Sequence, residues 1–159
     1  MRVIGLDHGL HHTGYGILNK ENSKISCLGW GTVDTSPKLP FPKRLQKIYA
    51  ELMEVISRWQ PTEMVIESAI YAQNIKTALL MGHARGAALL AGVNSGLEIF
   101  EYAPTKIKSA VVGNGAATKE QVRFMMIRLL NLSDEKIPFD AADALAAGYC
   151  HLNQLKLAR

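Results

Sequence analysis

The sequence predicts an α/β fold in which helices flank a mixed five-stranded sheet. Three strand patterns follow one another before the first helical pattern, and the order from there is helix, strand, helix, strand, helices. The length is the third observation, because 159 residues are enough for one domain that buries roughly two-thirds of its unfolded surface. We therefore expect a single domain over residues 1–159.

The first three strands should form an antiparallel start to the sheet. Residues 2–7 form an apolar run that ends at Asp7, and residues 13–18 read as its hairpin partner. A polar turn then leads into a third strand over residues 25–33. Connections this short join antiparallel neighbours.

The rest of the chain alternates helices with short buried strands. Helical periodicity predicts a first helix over residues 43–59, after a proline-rich loop, and Gln60-Pro61 ends it. Thr118 and Gln121 form a capping-box pattern at a later helix start. The remaining predicted elements are a strand over 64–67, a helix over 74–94, a strand over 97–102, and helices beginning near Pro104, Thr118 and Pro138.

The charge of the chain favours a polyanionic partner. The formal net charge is +4, and residues 104–128 alone contribute five basic and one acidic residue, which is also +4. The two cysteines match no metal-site spacing, so we expect reduced thiols in a cytoplasmic protein. The chain opens directly on a strand, and no apolar run approaches the ~20 residues that a bilayer span needs, so we expect no membrane partner.

Four carboxylates lie where predicted strands or helices end or begin. Asp7 and Glu67 each close a buried apolar run, and Asp140 and Asp143 lie three residues apart on one predicted helix. Carboxylates gathered in this way repel one another unless a divalent cation lies between them. Oxygen ligands suit Mg²⁺ or Mn²⁺, and two such ions are a standard apparatus for cutting phosphodiesters.

Each of these signals also has an ordinary explanation. Asp7 lies two residues before a glycine and could form a turn, and Asp140 in a first helical turn is favoured by the helix dipole. Glu67 is harder to explain in this way, because a carboxylate that ends a buried strand is costly unless it is paired or metal-bound. Asp143 is also hard to explain in this way, because it lies among alanines and a leucine. The four carboxylates together are stronger evidence for a metal site than any one of them alone.

Three further features leave two interpretations open. Ile70 and Tyr71 could stack on an unpaired base or pack on the next helix. The helix around residues 79–88 carries small and aliphatic residues on different faces, which fits either a symmetric dimer contact or ordinary core packing. The histidines at positions 8, 11 and 12 are expected to face solvent or phosphate rather than to converge on one ion.

The ordered motifs of the chain resemble those of the bacterial RuvC-type Holliday junction resolvases over essentially the full length. The motifs are Gly5-Leu6-Asp7-x-Gly9, Thr13-Gly14-Tyr15-Gly16, Glu67 followed by an apolar loop and Asn74, Gly82-His83-Ala84-Arg85-Gly86, Lys108 before Val111-Val112-Gly113, Lys119 before Val122, and Asp140-Ala141-Ala142-Asp143-Ala144-Leu145-Ala146.

The resemblance implies a ribonuclease H-like fold and a homodimer that nicks two opposed strands of a four-way DNA junction. It implies two Mg²⁺ ions per active site, with Mn²⁺ able to substitute, and cooperation with the RuvA–RuvB branch-migration complex. By this resemblance Asp7, Glu67, Asp140 and Asp143 are the metal ligands, and we add Lys119 as a catalytic cation. The predicted DNA-binding residues are Ile70, Tyr71, Asn74, Arg85, Lys106, Lys108, Lys119 and Arg123.

Two departures from the family pattern and three rival functions bear on this reading. His8 replaces the usual proline, and Ile70 with Tyr71 occupies the loop where the family places an aromatic residue.

An ATP-binding module of the actin and sugar-kinase type would need a second domain. A junction-binding protein without catalysis, and a nuclease for RNA–DNA hybrids, are the other two rivals.

Overall fold

The computed structural model describes residues 1–68, 74–133 and 136–155. Within these ranges five strands form one sheet in the order β3-β2-β1-β4-β5, and five helices pack on it. The strands are β1 Arg2–Asp7, β2 His12–Glu21, β3 Lys24–Asp34, β4 Glu63–Glu67 and β5 Glu98–Tyr102; the helices are α1 Phe41–Trp59, α2 Ile75–Asn94, α3 Pro104–Val112, α4 Lys119–Leu129 and α5 Phe139–Gln154.

The pairing of the strands confirms the predicted mixed sheet. β1 pairs antiparallel with β2 on one side and parallel with β4 on the other, where Leu6 lies opposite Ile66. β4 continues in parallel to β5, and Glu67 lies opposite Tyr102. The carboxyl ends of β1 and β4 therefore lie side by side at one edge of the sheet. Asp7 and Glu67, which end these strands, are neighbours there.

Residues of the central strands alternate between two cores, one on each face of the sheet. Val3 of β1 packs toward α3, α4 and α5, whereas Ile4 and Leu6 pack toward α1 and α2. Val65 and Ile66 of β4 divide in the same way. Burial of each such aliphatic side chain contributes roughly 1.5–3 kcal/mol, so both faces of the sheet hold their helices firmly.

Local signals in the sequence explain most helix boundaries. The αL conformation of Gln60 ends α1 where the sequence predicts, and the capping box at Thr118 is formed at the start of α4. α1 begins at Phe41 instead of residue 43, because Pro42 fits the first turn, where its missing N–H is not needed. Pro138 is the N-cap of α5 and not its first helical residue.

Three strand glycines allow α5 to lie unusually close to the sheet. A Cβ on Gly5 would lie 2.0 Å from the carbonyl oxygen of Ala144, and one on Gly14 would lie 2.0 Å from that of Asp140. A Cβ on Gly16 would lie 2.5 Å from the Leu145 side chain. The first turns of α5 therefore rest directly on the backbone of β1 and β2.

The faces of α2 differ in what they meet. Its small residues, Ala84, Ala88 and Ala91, are buried against the sheet, so core packing accounts for that face. Leu79 and Leu90 on another face are 59% and 57% exposed. Among the helices of the described ranges, none combines the length and apolar character that crossing a membrane requires.

Candidate active site

The four predicted carboxylates come from three elements that meet at one edge of the sheet. Asp7 and Glu67 are the last residues of β1 and β4, which are parallel neighbours. Asp140 and Asp143 lie in the first turns of α5. Asp7 pairs with Gly14 across the sheet, and Gly14 lies against the backbone of Asp140. The glycine therefore brings the start of α5 beside the end of β1.

Asp7 lies in the most perturbed environment of the four. Burial is the main cause, and the negative charges of Asp143, Asp140 and Glu67 act in the same direction, while Lys119 opposes them. Together they raise the pKa of Asp7 from 3.8 to about 8. A carboxylate held in this way binds either a proton or a cation near neutral pH.

Two other carboxylates of the site are shifted in the same direction. Burial raises the pKa of Glu67, and the charge of Asp143 raises it further, against the influence of Lys108 and Lys119. Burial also raises the pKa of Asp143, although the charge of Lys119 and a hydrogen bond from it act to lower it. The site therefore gathers more negative charge than its two lysines neutralise.

Lys119 is part of this cluster rather than of a separate surface. Its Nζ lies 3.5 Å from Oδ2 of Asp143, and the capping box of Thr118 fixes the helix start that carries it. Partial burial favours loss of its proton, but the charges of Asp143 and Asp7 outweigh this and raise the pKa of Lys119. The lysine is therefore a fixed cation beside the carboxylates.

The donor set fits hard divalent cations. Carboxylate oxygens are preferred ligands of Mg²⁺ and Mn²⁺. Burial first, and neighbouring carboxylates second, raise the pKa values of Asp7, Glu67 and Asp143, so a bound cation would stabilise their charged forms. Across residues 1–68, 74–133 and 136–155, no three acidic, histidine or cysteine side chains converge on one point at ligand distance. The carboxylates repel one another because they carry like charges. Metal binding would require their side chains to rotate toward the bound ion.

The predicted DNA-binding residues lie in several different settings. Lys106 lies 4.9 Å above the ring of Tyr102, and Arg123 lies 4.2 Å above the ring of Phe139, next to Asp140. Lys108 is half-buried near Glu67 and Asp143.

Two other predicted DNA contacts have structural partners. Arg85 forms a 2.7 Å ion pair with Glu101, and its side chain is only 16% exposed. The Asn74 side chain accepts a hydrogen bond from the backbone N–H of Thr77 and caps α2. Ile70 and Tyr71 lie outside the described residues. The DNA contacts therefore remain predictions.

The histidines correct one expectation. His8 was expected to face solvent or phosphate, but it is buried beside Arg85 and Glu101, and burial with the charge of Arg85 lowers its pKa to about 4. His8 follows Asp7 directly, and its side chain is buried in the protein interior. The neighbouring polar residues in the sequence gave no indication of this burial. His11 and His12 are exposed, and His12 forms a 2.8 Å pair with Asp34.

Sequence reasoning missed two buried polar side chains, Arg44 and His151. Arg44 is buried although it lies in α1, and it donates to the backbone carbonyl of Leu10 and to the hydroxyl of Thr35. It thereby holds the loop that follows Asp7. His151 of α5 is also buried, and it is hydrogen-bonded to Tyr102 and Glu63. Neither carries a spacing signal, because their partners are 9 to 88 residues away.

Comparison with known proteins gives consistent results. The family model of the crossover junction endodeoxyribonuclease RuvC matches residues 3–151. A crossover junction endodeoxyribonuclease RuvC of Magnetococcus marinus is 47% identical over 154 residues, which cover 97% of this chain and 85% of that protein.

Solved structures agree with these matches. The Thermus thermophilus RuvC structure is 32% identical, aligns with a TM-score of 0.88, and covers 99% of this chain and 97% of its own. The same protein in complex with a Holliday junction substrate aligns with a TM-score of 0.92 over 99% and 96% of the two chains, again at 32% identity. These matches confirm the predicted fold and the resemblance drawn from the motifs. The chain belongs to the RuvC family of crossover junction endodeoxyribonucleases.

Proposed function

We propose that the chain resolves four-way DNA junctions by paired symmetric nicks, through metal-dependent hydrolysis of one phosphodiester in each of two opposed strands. The observation that carries the proposal is the placement of four carboxylates where the carboxyl ends of the parallel strands β1 and β4 meet the first turns of α5. Membership of the RuvC family and the similarity to a RuvC bound to a Holliday junction support it.

In this proposal Asp7, Glu67, Asp140 and Asp143 hold two Mg²⁺ ions, and Mn²⁺ substitutes for them. Bound ions of this kind lower the pKa of an attacking water and neutralise charge on the scissile phosphate. Lys119 adds a preorganised cation beside Asp143, where it offsets charge that develops on the phosphate. The expected products carry 5′-phosphate and 3′-hydroxyl ends.

DNA binding is assigned to the basic surface around the carboxylates. Lys106, Lys108, Lys119 and Arg123 lie on α3 and α4, the two helices that pack against α5. Cations on phosphates release counterions, so junction affinity should fall steeply with salt. Ile70, Tyr71, Asn74 and Arg85 complete the proposed set of DNA contacts, and of these Asn74 and Arg85 belong to the start and the middle of α2.

A homodimer is proposed to form through the exposed apolar face of α2. Together with α1, this helix borders a groove of about 680 Å³ whose walls include Leu79, Leu90 and Tyr49. An apolar face of this kind is typical of a protein interface. A two-fold dimer on a two-fold junction would place both active sites on strands of like polarity.

Two further assignments follow from the resemblance to the family. We propose that the protein acts in the cytoplasm, where bacterial DNA lies. We also propose that it works with the RuvA–RuvB branch-migration complex.

Cleavage and binding should separate in the Asp7→Asn variant. We expect it to bind a mobile four-way junction like the unmodified protein and to cut it at least ~100-fold more slowly in Mg²⁺, since even outer-shell changes at metal sites cost about 10–100-fold. Asp34→Asn is the control, because Asp34 is an exposed carboxylate on β3. Normal cutting by Asp7→Asn would refute the metal assignment.

A substrate panel distinguishes the rival functions. The unmodified protein is offered a four-way junction, a linear duplex, an RNA–DNA hybrid and ATP, each with Mg²⁺ and with Mn²⁺. We expect nicks in the junction only, at symmetric positions. Cleavage of the hybrid alone, or turnover of ATP, would replace the proposal with the corresponding rival.

The dimer is tested by light scattering of Leu79→Glu with Leu90→Glu. We expect a monomer, because two charges would enter the apolar contact. Phe124→Glu is the matched control, since Phe124 is similarly exposed, at 56%, but lies on α4. If the double variant keeps the mass of the unmodified protein, the interface lies elsewhere.

A further inference from the structure

We propose that His151 is a positioning residue that fixes the N-terminal end of α5 relative to β4, and so sets the distance from Asp140 and Asp143 to Glu67. The proposal rests on the proposed metal-dependent function, and it concerns residues outside the predicted ligand set. His151 lies near the opposite end of α5 from the carboxylates.

His151 is fully engaged by two partners from different strands. Its Nε2 lies 2.8 Å from Oε2 of Glu63 at the start of β4, and its Nδ1 lies 2.8 Å from the hydroxyl of Tyr102 at the end of β5. The side chain is 2% exposed, and the ring of Phe100 packs on it with a centroid distance of 4.4 Å. Every polar atom is paired if Nε2–H donates to the carboxylate and the tyrosine hydroxyl donates to Nδ1.

Helix geometry places His151 on the same face of α5 as Asp140. Eleven residues separate them, which is three helical turns and a rise of ~16 Å. Strand geometry does the same for β4, because Glu63 and Glu67 are four residues apart and face the same side of the sheet. The face of α5 that carries Asp140 and the face of β4 that carries Glu67 are therefore also the faces joined by the bond between Glu63 and His151.

Tyr102 connects this bond back to the active site. It lies opposite Glu67 in the sheet register, and its carbonyl oxygen accepts a hydrogen bond of 2.9 Å from the backbone N–H of Ser68. The tyrosine hydroxyl thus holds His151, while its backbone holds the residue after Glu67. The C-terminal part of α5 therefore cannot slide or tilt against β4 without breaking the bond between Glu63 and His151.

Bonds of this kind matter more for a metal site than for the fold. Carboxylates from two elements share an ion only when the elements are held to within a fraction of an ångström. Elsewhere α5 is held mainly by apolar packing, which tolerates small shifts better than hydrogen bonds do; its further polar contacts include a bond from Lys20 Nζ to the carbonyl oxygen of Leu152 and the ion pair of Asp143 with Lys119. Loss of the His151 bonds should therefore raise the metal requirement before it unfolds the protein.

The test uses Tyr102→Phe and His151→Phe in the full chain. Tyr102→Phe removes one hydroxyl and keeps the ring under Lys106, so the predicted DNA surface is unchanged. Binding of Mn²⁺ is measured by calorimetry without DNA, and the Mg²⁺ concentration for half-maximal junction cleavage is measured in parallel. We expect both to weaken by about 3–10-fold for Tyr102→Phe and more for His151→Phe, with junction affinity changed less than ~2-fold.

The control is Ile56→Val, which trims a buried side chain of α1 on the other face of the sheet. Its melting temperature is compared with that of Tyr102→Phe to match the loss of stability. An equal rise of metal requirement in the control, or none in Tyr102→Phe, overturns the proposal whether or not His151→Phe folds. If the unmodified protein fails to bind Mn²⁺ or to cut a junction, the proposed function itself is refuted.

Discussion

Replacement of Asp7 by asparagine should stabilise the metal-free protein at neutral pH while it abolishes cleavage. Burial and the neighbouring carboxylates raise the pKa of Asp7 from 3.8 to about 8 in the folded protein. Between these values the folded state holds a proton that the unfolded state has released. The free energy of unfolding therefore falls as the pH rises from about 4 to about 8. Asparagine does not titrate, so the variant escapes this loss.

The structure gives the size of the effect. One pKa unit corresponds to ~1.4 kcal/mol, and about pH 7 lies roughly three units above the pKa of unfolded Asp7, which gives an upper value of ~4 kcal/mol. Proton uptake by neighbouring carboxylates reduces this, and we expect ~2–4 kcal/mol. For a chain of this length the corresponding rise in melting temperature is ~5–15 °C.

The assay is thermal or chemical unfolding in a chelator at about pH 4 and about pH 7. The gain from Asp7→Asn should be present at the higher pH and nearly absent at the lower one. Mg²⁺ should stabilise the unmodified protein more than the variant, because the ion binds only the folded site. Asp34→Asn, in the exposed pair with His12, should show no such gain. A variant less stable than the unmodified protein at about pH 7, or a gain independent of pH, would refute the reasoning.

Three further outcomes are expected. Gly14→Ala should lower the free energy of unfolding by ~1–3 kcal/mol or more and reduce cleavage, because its Cβ would lie 2.0 Å from the Asp140 carbonyl oxygen. An unchanged midpoint of chemical unfolding would show that α5 can move away freely. Lys119→Met should lower single-turnover cleavage by ~100-fold, far more than it weakens junction binding as one of several phosphate contacts, since it removes a cation beside Asp143; loss of affinity alone would make it only a phosphate contact. Lys108→Ala should reduce the salt slope of junction binding by about one, measured by titration at several salt concentrations; an unchanged slope would place Lys108 off the DNA.

Local sequence patterns were sufficient to predict the elements and to show that Asp7 and Glu67 end buried strands. The apolar runs before Asp7 and Glu67 define β1 and β4 to within one residue, and the capping box marks α4. Such signals act over a few residues, so they can be read without the fold. Where local chemistry was ambiguous, as at Pro42 and Pro138, the helix starts shifted by one or two residues.

Contacts between distant segments could be decided only by the tertiary structure. Nothing near His8 in the sequence indicates burial, because Arg85 and Glu101, which surround it, come from another helix and another strand. The same holds for His151, whose partners lie 49 and 88 residues away. The sequence by itself determined which carboxylates end the strands, since hydrophobic periodicity is a local property. How closely α5 brings two of them to the other two was decided by packing across the sheet, where glycine backbone and buried hydrogen bonds set the distance.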